Sequence, residues 1–285
     1  MEGRLTRGRV VRILTENTSG HEELSEARKR RSIRQRVSAL ARKAETLASR
    51  GLLDSAARRL EEALEMDPSN SGVLLQLAGV RRSQGKLNEA IRLAATAVER
   101  SERDVDARQF LLQLYLEAGE YRRAIDCGKS LLKLSPRNLY ARDIMGVAYL
   151  QLGQLDKALQ MTNELIHLDP TDPSNHFKRA VLFQQKGDVA RAIREFDRVV
   201  DLDPEADIAE EAREAISWLD TFQIRQIVGL AMEDAIFRTK LIRNAEEAAA
   251  ERGFYLSGMG VATLRHLILE DLLDPSAEPE PPTYH

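Results

Sequence analysis

"GQLDKAL", residues 153–159, opens on a glycine, has an apolar residue two places on and an alanine five places on. The same arrangement stands as Gly51-LLDS-Ala56, Gly85-KLNE-Ala90, Gly119-EYRR-Ala124, Gly153-QLDK-Ala158 and Gly187-DVAR-Ala192. Each glycine follows the last by 34 residues, and so does each alanine. Pro68, Pro136, Pro170 and Pro204 mark the same ruler, with Glu102 in the one slot that lacks proline. A fixed period between about 20 and 50 residues is the signature of stacked repeats, so it is read before anything else.

One unit shows the physical logic. In residues 71–104, Leu74, Leu77, Ala78 and Arg81 fall on one face of a helix by their spacing of three and four. Gly85 interrupts, because glycine enters the left-handed region that ends a helix at little steric cost. Leu87, Ala90, Ile91, Ala94, Ala97 and Val98 then form a second periodic run. Each unit is therefore helix, short turn, helix. The repeated alanine is small where the two helices of a pair cross. The proline cannot continue a helix and so separates one unit from the next. Such a pair cannot bury its apolar face alone and must stack on a neighbour.

A 34-residue helix–turn–helix unit with these Gly, Ala and Pro positions resembles the tetratricopeptide repeat (TPR) family. The resemblance covers about residues 37–220. It implies an all-α fold: a right-handed solenoid of five helix pairs (37–70, 71–104, 105–138, 139–172, 173–204), with a capping helix over 205–220. Two slots depart from the family pattern. Leu40, Leu74, Arg108, Arg142 and His176 stand where the motif has a bulky aromatic. The small first-helix slot holds Ala44, Ala78, Gly146 and Ala180, but Leu112 in the middle unit, which is expected to pack less regularly there.

The resemblance also implies where a partner would lie. Members of the family line a concave groove mainly with their first helices. The corresponding residues here are Leu75, Gly79, Arg82, Gln109, Gln113, Leu116, Asp143, Val147, Leu150, Phe177, Val181 and Gln184. This is a mixed apolar and amide surface. The paired Lys and Asn by which some members clamp a partner's C-terminal carboxylate are absent. Those positions read Ala41, Leu75, Gln109, Asp143 and Phe177, with Glu45, Gly79, Gln113, Val147 and Val181. An amphipathic helix or extended segment of a protein partner fits such a groove better.

Beyond residue 220 the ruler stops while helical patterning continues. Ile224, Ile227, Val228 and Ala231 begin a stripe, and Phe237, Leu241, Ile242, Ala245 and Ala249 continue it after a break near Glu233–Asp234. Gly253 reads as a helix end, and Ser257 as the N-cap of a last helix. Residues 221–273 are thus expected to form a small helical module. "MEDAIFRTKLIRNAEEAAAERGFYLS" within it is similar to the helical leader region of peptide precursors of the nitrile-hydratase-like leader-peptide clan. Asp234, Phe237, Arg238, Leu241, Glu246, Ala248, Gly253 and Leu256 carry that likeness. Ala235 and Ala245 replace its two prolines, and no Gly-Gly or Gly-Ala cleavage site follows. The likeness implies a bacterial docking module rather than a precursor; the alternative reading is that helices 221–273 simply cap or fold back on the solenoid. "PSAEPEPPTYH" (275–285) has the Pro-rich, acidic composition of a disordered tail.

Charge is unevenly placed. Of a net charge of −3, residues 1–60 hold 15 Lys/Arg against 7 Asp/Glu, net +8, leaving −11 for the remainder. Arg28, Lys29, Arg30, Arg31, Arg34, Arg36, Arg42 and Lys43 form a basic patch in the segment that leads into the first unit. Such a patch suits an acidic partner, nucleic acid included, or is simply the solvated face of a helix. No aromatic interleaves the run, so base stacking on single strands is not supported.

Chemistry of other kinds finds no footing. There is no phosphate-binding Gly-x-x-x-x-Gly-Lys-[Ser/Thr], and the five histidines are scattered without metal-ligand spacing. Cys127, the single cysteine, excludes an internal disulfide framework, suits a reducing compartment and reads as a small packing residue. No stretch approaches the roughly 18 apolar residues of a membrane span. The expectation is a bacterial, cytoplasmic, non-enzymatic adaptor without cofactor or metal, with a protein or peptide in its groove. The alternatives are an accessory factor for peptide modification, secretion or assembly that uses the leader-like module, and a nucleic-acid-associated regulator acting through the basic segment.

Overall fold

The computed structural model describes residues 7–268, with side chains from Arg28 onward. The expected disordered tail lies outside the described residues. Fourteen helices and no strand occur among the described residues. They divide into two compact units, residues 1–144 and 145–285, whose boundary falls inside helix α7.

The first unit contains α1 (Arg7–Ser49), α2 (Leu53–Met66), α3 (Ser71–Ser83), α4 (Leu87–Arg100), α5 (Val105–Glu117), α6 (Tyr121–Leu134) and the start of α7 (Leu139–Gln151). No helix begins at Val37. The first-unit helix is continuous with the basic segment before it, because between Gly20 and Ser49 no glycine or proline breaks the pattern. The second unit contains the rest of α7, then α8 (Leu155–Leu168), α9 (Pro173–Gln185), α10 (Val189–Leu202), α11 (Asp207–Glu233), α12 (Ala235–Arg243), α13 (Ala245–Glu251) and α14 (Gly258–Leu267).

The turn inside each pair is the same device. Gly153 has φ +69°, its N–H donates to the Leu150 carbonyl, and the Gln154 N–H donates to the Tyr149 carbonyl, both at 2.9 Å. This two-bond pattern satisfies the carbonyls that a helix end leaves open, and it needs a left-handed residue at its centre. The repeated alanines Ala56, Ala90, Ala124, Ala158 and Ala192 are fully buried.

A second 34-residue ruler starts each first helix. Asn70, Asp104, Asn138 and Asp172 cap α3, α5, α7 and α9. They accept from the backbone N–H of Val73 (3.1 Å), Ala107 (3.0 Å), Ala141 (2.8 Å) and Ser174 (2.9 Å). Each bond satisfies a donor orphaned at the helix start and stabilises it by about 1 kcal/mol. The junction that lacks proline, at Glu102, keeps its Asp104 cap. Ala206 occupies the next place on this ruler and has no capping side chain, and there the repeat ends. Leu112, the bulky residue in the small slot, is fully buried.

The cap helix does not stop at Asp220. It continues as α11 for 27 residues to Glu233, since no glycine or proline lies between Asp207 and Val228. Its first half packs with α9 and α10 around Phe196, Ile193 and Leu219. Its second half packs with α12, α13 and α14 around Ile227, Phe237, Leu241 and Leu264. The second stripe expected from sequence is two short helices, because Asn244 ends α12 and caps α13. Ile242, placed on that stripe by its spacing, is exposed instead.

Candidate functional site

The first-helix residues singled out from sequence share one property. Leu75, Gly79, Arg82, Gln109, Gln113, Leu116 and Asp143 in the first unit are all half-buried, and so are Val147, Leu150, Phe177, Val181 and Gln184 in the second. None is sealed in a core and none stands fully in solvent.

In the first unit one charged member of this face, Arg82, is engaged within the chain. Arg82 on α3 gripping Glu117 on α5 makes a two-pronged pair, with Nε 2.8 Å from Oε2 and Nη2 2.6 Å from Oε1. Gln113 donates to the same carboxylate at 3.0 Å. The pair ties one repeat to the next and leaves no free guanidinium for a partner's carboxylate. Beside it, burial and the Glu117 carboxylate push the Tyr140 phenol up from its ordinary range, against the opposing pull of Arg82. The apolar members Leu75 and Leu116 and the amide of Gln109 are half-buried on the same face. Gly79 opens a cavity of about 280 Å³ walled by Ala44, Ala48, Leu53, Leu60 and Val80.

In the second unit two of the five residues also serve the core. Phe177 meets the buried Phe196 edge to face, with centroids 5.3 Å apart, and Val181 packs against the same cluster. Leu150, Val147 and Gln184 are not members of that cluster. Behind this face lies a polar knot that the sequence did not announce. His176 Nδ1 is 3.0 Å from Glu195 Oε2, and its Nε2 is 3.4 Å from the Pro170 carbonyl oxygen. Arg179 bonds the same carboxylate at 2.7 Å and Asn163 at 3.0 Å. The knot joins α8, α9 and α10 through four side chains, Asn163, His176, Arg179 and Glu195.

The basic residues Arg28, Lys29, Arg30, Arg31, Arg34, Arg36, Arg42 and Lys43 are all exposed on α1. Cys127 is half-buried on α6 and donates its thiol to the Arg108 carbonyl at 3.6 Å. Burial pushes that thiol up to about 11, with the Arg108 charge opposing. A thiol so placed is not a nucleophile at neutral pH. Among the described residues no group of three or more His, Cys, Asp and Glu is arranged to hold a metal ion.

With the repeat geometry in place, comparison with known families decides its kind. Models described as tetratricopeptide repeats match residues 47–96 and 154–217, and one described as anaphase-promoting complex, cyclosome, subunit 3 matches residues 83–165. Residues 47–217 belong to the tetratricopeptide repeat family. Solved TPR-type structures agree in fold. MamA is 21% identical, with a TM-score of 0.56, covering 60% of this chain and 93% of its own. MamA residues 41 to end from Desulfovibrio magneticus RS-1 is 19% identical, with a TM-score of 0.55, covering 60% and 97%. YrrB, described as a TPR protein with an unusual peptide-binding site, is 20% identical, with a TM-score of 0.52, covering 61% and 90%. No curated protein matches the chain. Stacked repeats of this family form extended surfaces suited to recognition, so the chain is an interaction scaffold of the protein-binding kind. Among the described residues, no helix is long and apolar enough to cross a membrane.

Two features of the second unit were not visible from the TPR pattern. Trp218 and Phe222 stack on the outer side of α11, with centroids 5.7 Å apart and an interplanar angle of 6°, at 59% and 49% exposure. One turn away, α11 holds the segment between α13 and α14. Gln223 exchanges two hydrogen bonds with the Tyr255 backbone at 2.7 and 2.9 Å, as a neighbouring strand would. Buried Asp220 accepts from the Ser257 N–H at 2.9 Å and from its hydroxyl at 2.5 Å. Ser257 in turn caps α14 by accepting from Gly260 N–H at 3.0 Å. Of the residues that carry the leader-like resemblance, Phe237, Leu241 and Ala248 are buried in the module's own core. Asp234 caps α12 and pairs with Arg252.

Proposed function

We propose that this TPR chain is a non-catalytic adaptor that holds a helical or extended segment of a partner protein along its first-helix faces. The observation that carries the reading is the character of those faces. Their apolar residues Leu75, Leu116, Val147 and Leu150 are half-buried, while Arg82 beside them is already paired with Glu117. Apolar surface left partly open beside satisfied charges favours an apolar segment over an acidic tail. YrrB, similar in fold, is described as having a peptide-binding site.

A second reading rests on a different observation. The stacked, exposed Trp218 and Phe222 make an aromatic surface on α11 beside the C-terminal module, and exposed aromatics of this size mark contact sites more often than chance. In that reading the module is the handle by which the chain serves peptide modification, secretion or assembly. The two readings separate on point variants. Retention of a partner on the immobilised chain is compared between Leu116→Glu/Leu150→Glu and Trp218→Ser/Phe222→Ser. Loss with the first pair alone supports the groove. Loss with the second pair alone overturns it in favour of the module.

A further inference from the structure

The basic stretch of α1 has a use that the adaptor reading leaves untouched. From Arg28 to Ala44 there are eight Lys and Arg and no Asp or Glu. From Ile33 onward one face of α1 packs on its neighbours through Ile33, Val37, Leu40, Ala44 and Leu47. Before Ile33 the side chains Arg28, Lys29, Arg30, Arg31 and Ser32 are all exposed, and so are Arg34, Gln35 and Arg36 beyond it. Residues 28–36 are thus helix with solvent around nearly their whole circumference. Winding by 100° per residue puts Arg28, Arg31, Arg42 and Lys43 on the face opposite Val37 and Ala44, with Ser32 and Gln35 between them. At 1.5 Å per residue this face runs for about 24 Å.

A ribbon of fixed positive charge of that length calls for an anion repeated along a line. Four polyanions compete for it. A lipid surface needs apolar side chains on the helix face that enters it, and between Arg28 and Lys43 the outward face has none larger than Ala39. Single strands need aromatic platforms, and the stretch has none. The major groove of duplex RNA is too narrow and deep for side chains to read. The major groove of B-form DNA is about 12 Å wide and admits a helix of about 10–12 Å diameter, flanked on both sides by phosphates. We propose that α1 binds double-stranded DNA through Arg28–Lys43, contacting the phosphate backbone without regard to base sequence. Ser32 and Gln35 supply neutral donors to the same phosphates.

The test uses the full chain and a fluorescein-labelled mixed-sequence duplex of about 20 base pairs, followed by anisotropy from about 50 to about 200 mM salt. Log affinity is expected to fall linearly with log salt, because each neutralised phosphate releases a counterion. Replacing Arg31, Arg34 and Arg42 by Gln should make that slope shallower by about 2–3 and weaken binding at the lowest salt at least roughly tenfold. All three are exposed, and replacing the same three by Lys keeps the charge and should keep the slope. The proposal is overturned by no duplex binding at low salt, by an unchanged slope in the Gln variant, or by loss of binding in the Lys variant. Binding of polyglutamate or of phosphatidylserine vesicles as tight as that of the duplex overturns it equally.

Discussion

Arg108 and Cys127 show how single residues answer to their slots. Arg108 takes the place where the repeat pattern has an aromatic and where two other units have Leu40 and Leu74. Its Nη1 is buried without a hydrogen-bond partner among the described residues. An unsatisfied buried donor of this kind costs about 1–3 kcal/mol. Arg108→Leu is therefore expected to raise stability by about 1 kcal/mol, against the usual direction for a substitution on a packed helix. Thermal unfolding decides it, and a lower midpoint in the variant would refute the account of this slot. Cys127 lies beside it, its thiol raised to about 11 from an ordinary 9.0. The folded state holds that proton more tightly than the unfolded state, so its contribution is complete below about pH 9 and is lost as pH rises toward about 11. Native protein should resist alkylation at pH 8 and react on unfolding. Because the Arg108 charge opposes the shift, Arg108→Leu should protect the thiol further. Equal alkylation rates for native and unfolded chains would contradict this.

At the scale of helices, the sequence was most legible where one device repeats. Gly51, Gly85, Gly119, Gly153 and Gly187 announced five turns, and all five have positive φ. The caps Asn70, Asp104, Asn138 and Asp172 stand at the same 34-residue period and are equally legible. Half-burial of the first-helix face followed from register. What those residues touch did not: the Arg82 grip on Glu117 joins residues 35 apart, and the seat of Phe177 on Phe196 depends on how two helices cross. The repeat pattern changes at 220 but the helix does not, because no breaker stands there and α11 runs on to Glu233. The tie between Asp220 and Ser257 spans 37 residues, beyond any periodic signal. That tie makes a sharp prediction. A Cβ on Gly260 would lie 2.6 Å from both Asp220 carboxylate oxygens, while one on Gly258 would meet nothing within 4 Å. Gly260→Ala is expected to cost about 1–3 kcal/mol and to loosen α14, seen as faster proteolysis after residue 253. Gly258→Ala should leave the digestion pattern unchanged. The same pattern for both variants would mean that Asp220 does not hold α14.

At the scale of the whole chain, the repeat array accounts for what the protein lacks as well as what it has. Repeats that contact only their neighbours generate long faces rather than enclosed pockets, and long faces suit segments of other chains. A charge at Phe177 would strike Phe196 and unfold α9 from α10, so that position does not report on binding alone. A chain ending at residue 220 would cut α11 and strand Ile224 and Ile227. Positions that line the face without serving the core are the ones to use. The most direct measurement places a photo-crosslinking phenylalanine analogue at Leu116 or Leu150 on first helices, and at exposed Lys129 or Gln160 on second helices, in the native cell. The account predicts that one partner is captured from Leu116 and Leu150 and not from Lys129 or Gln160. Capture of that partner from the second-helix positions, with none from Leu116 or Leu150, would contradict it.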